Sequence, residues 1–255
     1  MLPSHSRTAV LAAATLALAH SAAAVVVEDF EDGVADGFTV VDGNGSATDN
    51  NGAFRVVTEG ANNVYSQTNG GLANGNATGG DGQGKLGSYS LAPETFGVLE
   101  ASLRVRLDST ANDFGFGDAA VIFGHQDNDN YYAVIFNETA ANNQVIALVG
   151  DARFVIGGSF DGNGPGTGSA AAAGVFYDLL LRHDPTAGNV SLSVDGTEVY
   201  NVTDPVFSAF ATGGFGVGAV NDAASFDDIV AVNVPEPATA ALFGALGLAG
   251  LRRRR

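Results

Sequence analysis

The segment Val98–Leu107, VLEASLRVRL, alternates apolar and polar side chains over its whole length. Successive side chains of a β-strand point to opposite faces, so one face of this strand carries five apolar side chains, Leu99, Ala101, Leu103, Val105 and Leu107. The other face carries Glu100, Ser102, Arg104 and Arg106. This pattern predicts a half-buried strand with a solvated outer face, as in antiparallel sheets.

The same alternation recurs farther along the chain. In Phe176–Arg182 the apolar side chains of Tyr177, Leu179 and Leu181 fall on one face. Asn189–Val194 and Thr197–Val202 are two more short strands, and Asp195-Gly196 separates them. An Asp-Gly pair between alternating segments is typical of a two-residue hairpin, because a type I′ turn needs positive φ at both positions.

A helical period is almost absent between residues 25 and 233, and turns rich in Gly, Asn and Asp separate the apolar segments. The remaining strand candidates are Val25–Phe30, Phe54–Thr58, Ala119–Phe123, Tyr131–Phe136, Gln144–Val149, Arg153–Ser159, Gly213–Val220 and Phe226–Val232. More than ten short strands predict one all-β domain, a two-sheet antiparallel β-sandwich.

Composition narrows the possible functions. The 255 residues include 35 glycines and no cysteine, so disulfides, thiolate metal sites and a Cys nucleophile are excluded for this chain. Residues 25–233 hold 27 acidic and six basic side chains. This charge argues against a nucleic-acid partner, whose phosphates require Lys and Arg, and favours cations.

The first 24 residues are predicted to be a secretory signal peptide that forms a signal helix. Arg7 supplies the positive start, Thr8–Ala19 is an apolar segment of the required length, and Ala22 and Ala24 form a small-x-small cleavage pattern before Val25. The alternative is a buried N-terminal helix.

The C-terminus has three parts in a fixed order. Pro235-Glu236-Pro237 comes first, Ala238–Leu251 is an apolar stretch of 14 residues, and Arg252–Arg255 closes the chain. As a helix the stretch would span about 21 Å, short of the ~30 Å hydrocarbon core, so only a short transmembrane helix is predicted. The arginines would stay on the cytoplasmic side. The alternative is a plain tail anchor.

This order of parts resembles the PEP-CTERM sorting tail. The resemblance implies export by a Gram-negative bacterium and recognition of Pro235, Glu236 and Pro237 by an exosortase, a membrane enzyme that processes the tail. It also implies a location in the cell envelope, at the cell surface or in an extracellular matrix such as a biofilm. The domain organisation is therefore a signal peptide at 1–24, a β-sandwich at 25–233 and a sorting tail at 234–255.

The order of motifs within the sandwich resembles the concanavalin A-like lectin/glucanase jelly roll, including its laminin-G-like branch. The motifs are DNDNYY at Asp127–Tyr132, VDGTEV at Val194–Val199 and FDDI at Phe226–Ile229. The resemblance implies a jelly-roll fold that often binds carbohydrate, although a fold alone does not fix function.

The same resemblance implies a structural calcium ion. In many such jelly rolls an acidic residue of the first strand and an Asp that opens the last strand hold the ion, and the candidates here are Asp29, Glu28, Glu31, Asp228 and Asp227. Asp228 has the parity of Phe226 and Val230, which predicts that it points toward the core and needs a partner or a metal. The alternative is a solvated carboxylate at the end of a strand.

Signals for catalysis are mostly negative. The chain has neither the Glu-x-Asp-x-x-Glu array of jelly-roll glucanases nor a Gly-x-Ser-x-Gly nucleophile elbow. His125 and His183 are the histidines outside the predicted signal peptide. His125 is interpreted as a loop residue and His183 as a turn residue.

Tyr131 and Tyr132 are the candidate sugar-stacking residues, since the chain has no Trp. As neighbours on a strand they must face opposite sides, so one ring is expected to point outward. The alternative is core packing of both rings. The leading hypothesis is an exported, non-catalytic surface or matrix protein that binds polysaccharide. A glycoside hydrolase acting on exopolysaccharide and a purely structural matrix protein remain open.

Overall fold

The structure is a computed structural model, and it describes residues 25–42, 54–67, 86, 88–108, 118–137, 143–150, 152–159, 171–219 and 223–234. The predicted signal helix, the sorting triplet and the predicted membrane helix lie outside these residues. Within the described part of the chain, no helix has the length and apolar character needed to cross a membrane.

The described residues form fifteen strands and a short 3-10 helix at Pro205–Ser208. The strands are β1 Val25–Glu28, β2 Thr39–Asp42, β3 Phe54–Glu59, β4 Asn62–Gln67, β5 Ser88–Phe96, β6 Leu99–Leu107, β7 Asp118–Asp127, β8 Asn130–Asn137, β9 Gln144–Val149, β10 Ala152–Ser159, β11 Phe176–Asp184, β12 Asn189–Val194, β13 Thr197–Thr203, β14 Gly213–Ala219 and β15 Ala224–Asn233.

The strands form two antiparallel sheets, which confirms the predicted sandwich. The eight-stranded sheet has the order β13-β12-β11-β6-β15-β4-β3, and β1 pairs with β15 beside β4. The seven-stranded sheet has the order β10-β9-β8-β7-β14-β5-β2. The main hydrophobic core lies between the sheets. It includes the face of β6 that the alternation predicts to be buried: Leu99, Ala101, Leu103, Val105 and Leu107.

The predicted hairpin at Asp195-Gly196 is also confirmed. Both residues have positive φ, 46° and 77°, as a type I′ turn requires. Three strands, β2, β4 and β5, were not among the sequence candidates. β4 and β5 are difficult to detect because they bury polar side chains in place of an apolar row: Ser66 and Gln67 on β4, Ser88 and Ser90 on β5.

These polar side chains connect the two sheets through the core. The hydroxyl groups of Tyr65 and Ser90 lie 2.8 Å apart, and the Gln67 amide donates to Ser88 Oγ at 3.2 Å. The Gln67 carbonyl oxygen also accepts the backbone N–H of Ala219. Because the polar side chains of Tyr65, Gln67, Ser88 and Ser90 each have a partner, the cost of removing them from water is offset.

β15 lies at the centre of the eight-stranded sheet and serves three neighbours. β6 pairs along one edge, while β4 and β1 share the other edge, β4 at Ala224–Phe226 and β1 at Ile229–Val232. The register shifts between Asp227 and Val230, and Asp228 has a φ of 47°, so a β-bulge lies where β4 gives way to β1.

The bulge corrects one prediction from parity. Asp228 is exposed, Asp227 is buried, and Val230 faces outward while Ile229 faces the core. An extra residue in one strand inverts the alternation beyond it, so the expectation that Asp228 points toward the core is wrong.

Gly216 on β14 occupies a position that no other residue fits. A Cβ there would lie 2.3 Å from the Ser90 carbonyl oxygen and 2.8 Å from a Leu91 methyl carbon. The backbone of β5 therefore sets this limit, and a larger residue would have to push two paired strands apart.

We expect Gly216→Ala to lower the free energy of unfolding by at least about 2 kcal/mol, because the added methyl group overpacks the sheet. Gly97→Ala is the matched control, since its methyl group would have no neighbour closer than 3.6 Å and its φ is not positive. Urea unfolding of both variants measures the difference. Equal stability of the two variants would contradict the close approach at Gly216.

Candidate functional site

Glu28, the last residue of β1, is a buried carboxylate with two internal partners. Its Oε1 accepts the N–H of Phe30 at 2.8 Å, and its Oε2 accepts the N–H of Asp36 at 2.8 Å. Phe30 has a φ of 58°, which is costly for a bulky residue. The Glu28 side chain therefore holds the turn after β1 in its strained conformation.

Asp227 is the buried carboxylate of the bulge, with 1% of its surface exposed. Its Oδ2 accepts from the Asn62 amide at 2.9 Å and from the Arg104 guanidinium at 3.2 Å, and its Oδ1 accepts the N–H of Asp228 at 2.8 Å. Desolvation raises the pKa of Asp227, and the hydrogen bonds from Asn62 and Asp228 oppose that rise. Every oxygen of this carboxylate is thus bound by the protein itself.

The other three predicted metal ligands lie around the same joint but serve local contacts. Asp29 accepts the N–H of Glu31 at 3.1 Å, and Glu31 accepts the N–H of Asn63 at 3.0 Å. Asp228 lies 3.5 Å from Arg104. The Glu31 bond ties the turn after β1 to the start of β4, and the Asp228 contact ties the bulge to β6.

The two buried carboxylates of this joint are held by hydrogen bonds from the protein. Among the described residues, no three His, Cys, Asp or Glu side chains are grouped as a metal site would require. Calcium needs six to eight oxygen ligands, whereas the oxygens of Glu28 and Asp227 already accept hydrogen bonds from the protein. Asp228 is exposed and lies beside Arg104, so the argument that it faces the core and therefore needs a metal loses its basis. The calcium site itself stays a prediction of the sequence resemblance.

The prediction that one of these two neighbouring rings points outward is confirmed in direction, since Tyr131 lies on the outer face of the seven-stranded sheet and Tyr132 in the main core. The rings do face opposite sides of β8, but both are buried, with 1% and 0% of their surface exposed. Tyr132 packs in the main core and its hydroxyl donates to the Val206 carbonyl oxygen at 2.6 Å. Neither ring presents a free face on which a sugar could stack.

Tyr131 belongs instead to a second cluster on the outer face of the seven-stranded sheet. Here Tyr89 lies with its hydroxyl 2.8 Å from His125 Nε2, and it donates to Asn128 Oδ1 at 2.7 Å. The single Tyr89 proton goes to Asn128, so Nε2 of His125 must be the donor to Tyr89. The His125 ring stacks near Tyr131, with ring centroids 6.1 Å apart. We call Tyr89, His125, Asn128 and Tyr131 the Tyr89–His125 cluster.

The hairpin between β7 and β8 positions Asn128 in this cluster. Asp127 Oδ1 accepts from the N–H of Asp129 at 2.9 Å and from the Asn130 amide at 2.8 Å. The hydrogen bond from Asp129 is the main cause of the lowered pKa of Asp127. The DNDNYY motif is therefore a rigid turn whose second residue reaches Tyr89.

Arg153 lies on β10 beside the Tyr89–His125 cluster. Its partner in the ladder is Leu148, which also pairs with Tyr131, so the three side chains share one face of the sheet. Its guanidinium donates to Gln144 Oε1 at 3.0 Å, and among the described residues no carboxylate lies within ion-pair distance. Desolvation lowers the pKa of Arg153.

Sequence reasoning missed this cluster because His125 and His183 were interpreted as loop and turn residues. His125 lies within β7, opposite Gly214, and is partly exposed. His183 lies within β11, is buried, and bonds the Phe207 carbonyl oxygen at 2.8 Å, so it is a core residue. The apolar run Ala119–Phe123 does signal the strand, but the irregular pairing between Phe123 and Asp127 hides where the strand ends.

The comparisons with known proteins address the tail and the fold separately. Residues 233–255 match the PEP-CTERM protein-sorting motif, which confirms the resemblance of the C-terminus to that sorting tail. The motif marks an exported protein of the Gram-negative cell envelope and implies processing by an exosortase. A search of curated proteins found no match to the chain.

Two solved structures share the fold. The carbohydrate binding module CBM66 from Bacillus subtilis is similar at a TM-score of 0.50 and 14% identity, over 77% of this chain and 96% of that module. The GH43 protein BlXynB from Bacillus licheniformis is similar at a TM-score of 0.54 and 13% identity, over 82% of this chain and 39% of that protein. At these identities the similarity shows the jelly-roll fold alone, and the chain spans about two fifths of the larger protein.

We expect Arg104→Gln to lower the free energy of unfolding by about 2–3 kcal/mol, because it leaves the buried Asp227 carboxylate without its counter-charge. Arg182→Gln is the matched control, since Arg182 is exposed and forms no ion pair with the described residues. Urea unfolding measures both.

The same joint predicts that wild-type protein unfolds at equal temperatures in millimolar calcium and in chelator. A higher melting temperature in calcium, abolished by Asp227→Asn, would restore the calcium site that the sequence resemblance implies. A silent Arg104→Gln variant would show separately that Arg104 does not stabilise the joint.

We expect both histidines of the domain to titrate below the ordinary value of 6.5. Desolvation lowers the pKa of His125 and of His183, while Asp127 opposes the shift at His125. A lowered folded pKa means that their contribution to stability is complete above about 6.5 and is lost as the pH falls below it. NMR titration of 13C-labelled histidine measures both values, and a midpoint at or above 6.5 for His125 would contradict its desolvated position.

Proposed function

We propose that this chain is an exported, non-catalytic protein of the cell surface or extracellular matrix that binds polysaccharide at the Tyr89–His125 cluster. The predicted tail would hold it transiently in the membrane until an exosortase processes it. The observation that carries the binding proposal is the hydrogen-bonded group of Tyr89, His125 and Asn128 beside Arg153, on the outer face of the seven-stranded sheet.

The cluster has the chemistry of a site that orients sugar hydroxyl groups. Few, rigidly placed polar groups on an apolar floor are typical of ligand sites. The floor here consists of buried apolar side chains, among them Ile122, Ile146 and Leu148. His125 and Asn128 are partly exposed at the edge of this floor.

Arg153 adds a cation to this face of a strongly acidic domain. Arg104 and Arg106 on the other sheet are each bound by carboxylates, Arg106 by both oxygens of Glu59. Arg153 has no such partner among the described residues and therefore supports binding of a glycan that carries carboxylate or sulfate groups as well as neutral sugars.

The similarity to a carbohydrate binding module agrees with this proposal, because the match covers nearly all of that module. The proposal that the domain acts without catalysis rests on the sequence, which lacks the glucanase carboxylate array. A sugar-cleaving reaction is the outcome that would overturn it.

The test is a binding panel on protein lacking the two predicted membrane segments. Cellulose, dextran, alginate and hyaluronan are each assayed for retention of the protein and for release of reducing ends. We expect retention on at least one polysaccharide without release. Arg153→Gln and Asn128→Ala should each weaken that binding about tenfold, the loss of one good hydrogen bond to a ligand.

Arg55→Gln is the matched control, because Arg55 is exposed on the edge strand β3 of the other sheet. Equal loss in all three variants would indicate non-specific charge attraction and contradict the site. Release of sugar would identify an enzyme, and retention on none of the probes would favour a purely structural matrix protein.

A further inference from the structure

The chain leaves the sandwich through a tightly bonded end. Asn233, the last residue of β15, pairs with Leu99, and its Oδ1 accepts the N–H of Gly97 at 3.1 Å. Val234 donates its N–H to the Val98 carbonyl oxygen at 2.8 Å. A methyl group on Gly97 would lie 3.9 Å from the Ala211 carbonyl oxygen, so the backbone at Ala211 lies close to Gly97. We call Gly97, Val98, Ala211, Asn233 and Val234 the exit end.

The sorting motif begins inside this end. The match starts at residue 233, which is still in β15, and Pro235 follows directly after the bonded Val234. A proline restricts the residue before it to extended conformations, so Val234 leads directly from the strand into the triplet. No spacer therefore separates the folded domain from the triplet that the sorting enzyme reads.

The available reach is short. Val234 and the start of the predicted membrane segment at Ala238 are four residues apart, which allows at most about 14 Å when fully extended. The headgroup layer on one side of a bilayer is already about 5–7 Å thick. An enzyme that binds Pro235-Glu236-Pro237 at the membrane must therefore come within a few ångströms of the exit end.

The N-terminal strand of the domain begins next to the exit end. Val25, which follows the predicted signal peptide, pairs with Val232 on β15, only two residues before Val234. Both segments that are predicted to enter the membrane thus leave from neighbouring strand ends. A folded precursor would hold this end of the sandwich toward the membrane.

We propose that the exit end is a docking surface for the membrane enzyme that processes the tail. The occupant follows from chain continuity, since the enzyme's recognition triplet is covalently joined to Val234. The contact concerns sorting and does not depend on whether the Tyr89–His125 cluster binds polysaccharide. Processing should therefore respond to substitutions at the exit end as long as the domain and the triplet remain adjacent.

The experiment uses the full chain in a bacterium that has its own exosortase, with loss of the tail followed by mass after a pulse of synthesis. Ala211→Glu places charge and bulk at the exit end, where Ala211 is exposed. Ala172→Glu is the matched control. Ala172 is also exposed, and it lies beside Gly174, which bonds Leu107 at the opposite end of β6. Both variants are made again with six Gly-Ser residues inserted between Val234 and Pro235.

We expect Ala211→Glu to slow processing about tenfold, the effect of losing about 1.4 kcal/mol of contact, while Ala172→Glu processes at the wild-type rate. With the inserted spacer, Ala211→Glu should match the spacer-only protein. Equal rates for the two variants without the spacer would overturn the proposal, as would a slow Ala211→Glu protein that the spacer does not rescue. A slow Ala211→Glu protein that the spacer does not rescue would also be the result if the substitution damaged the fold, because a spacer cannot repair the domain.

Discussion

The structure depends on the position of the last strand at the centre of the larger sheet. β15 must pair with β6 along one edge and with both β4 and β1 along the other, so its partner changes in the middle of the strand. The bulge at Asp227–Asp228 accommodates this change, and it leaves one carboxylate buried at the junction. Arg104 and Asn62 bind that carboxylate, so side chains next to the bulge compensate the buried charge.

The two arginines of β6 compensate much of the negative charge in this part of the acidic domain. Arg104 and Arg106 lie on the outer face of β6 with the Phe176 ring beneath both, 4.5 Å and 4.7 Å from the two guanidinium carbons. Arg106 binds Glu59 and Asp108, and Arg104 binds Asp227. The side-chain hydrogen bond from Arg106 lowers the pKa of Glu59. Two arginines on one strand therefore neutralise a carboxylate of β3, a carboxylate of β15 and that of Asp108, which directly follows β6.

Strict alternation allowed most of the fold to be predicted, and breaks in alternation account for the errors. The strands with one apolar face, such as Leu99–Leu107 and Asn189–Val194, were recognised because burial follows the period of two. β4 and β5 were missed because Gln67 and Ser90 are buried by bonding across the core. For the site, parity correctly placed Tyr131 and Tyr132 on opposite faces, but it cannot reveal that the second face is also covered or that a bulge turns Asp228 outward.

The Tyr89–His125 cluster and the exit end are linked by β14. Gly213 pairs with Phe96, next to Gly97 of the exit end, and Gly214 pairs with His125 of the cluster. Two adjacent residues of one strand thus separate the place where the tail leaves from the proposed polysaccharide site. If both proposals hold, a protein still attached by its tail keeps the polysaccharide site near the membrane until the tail is removed. Neither proposal needs the other, because the exit end and the cluster use different residues of the neighbouring strands.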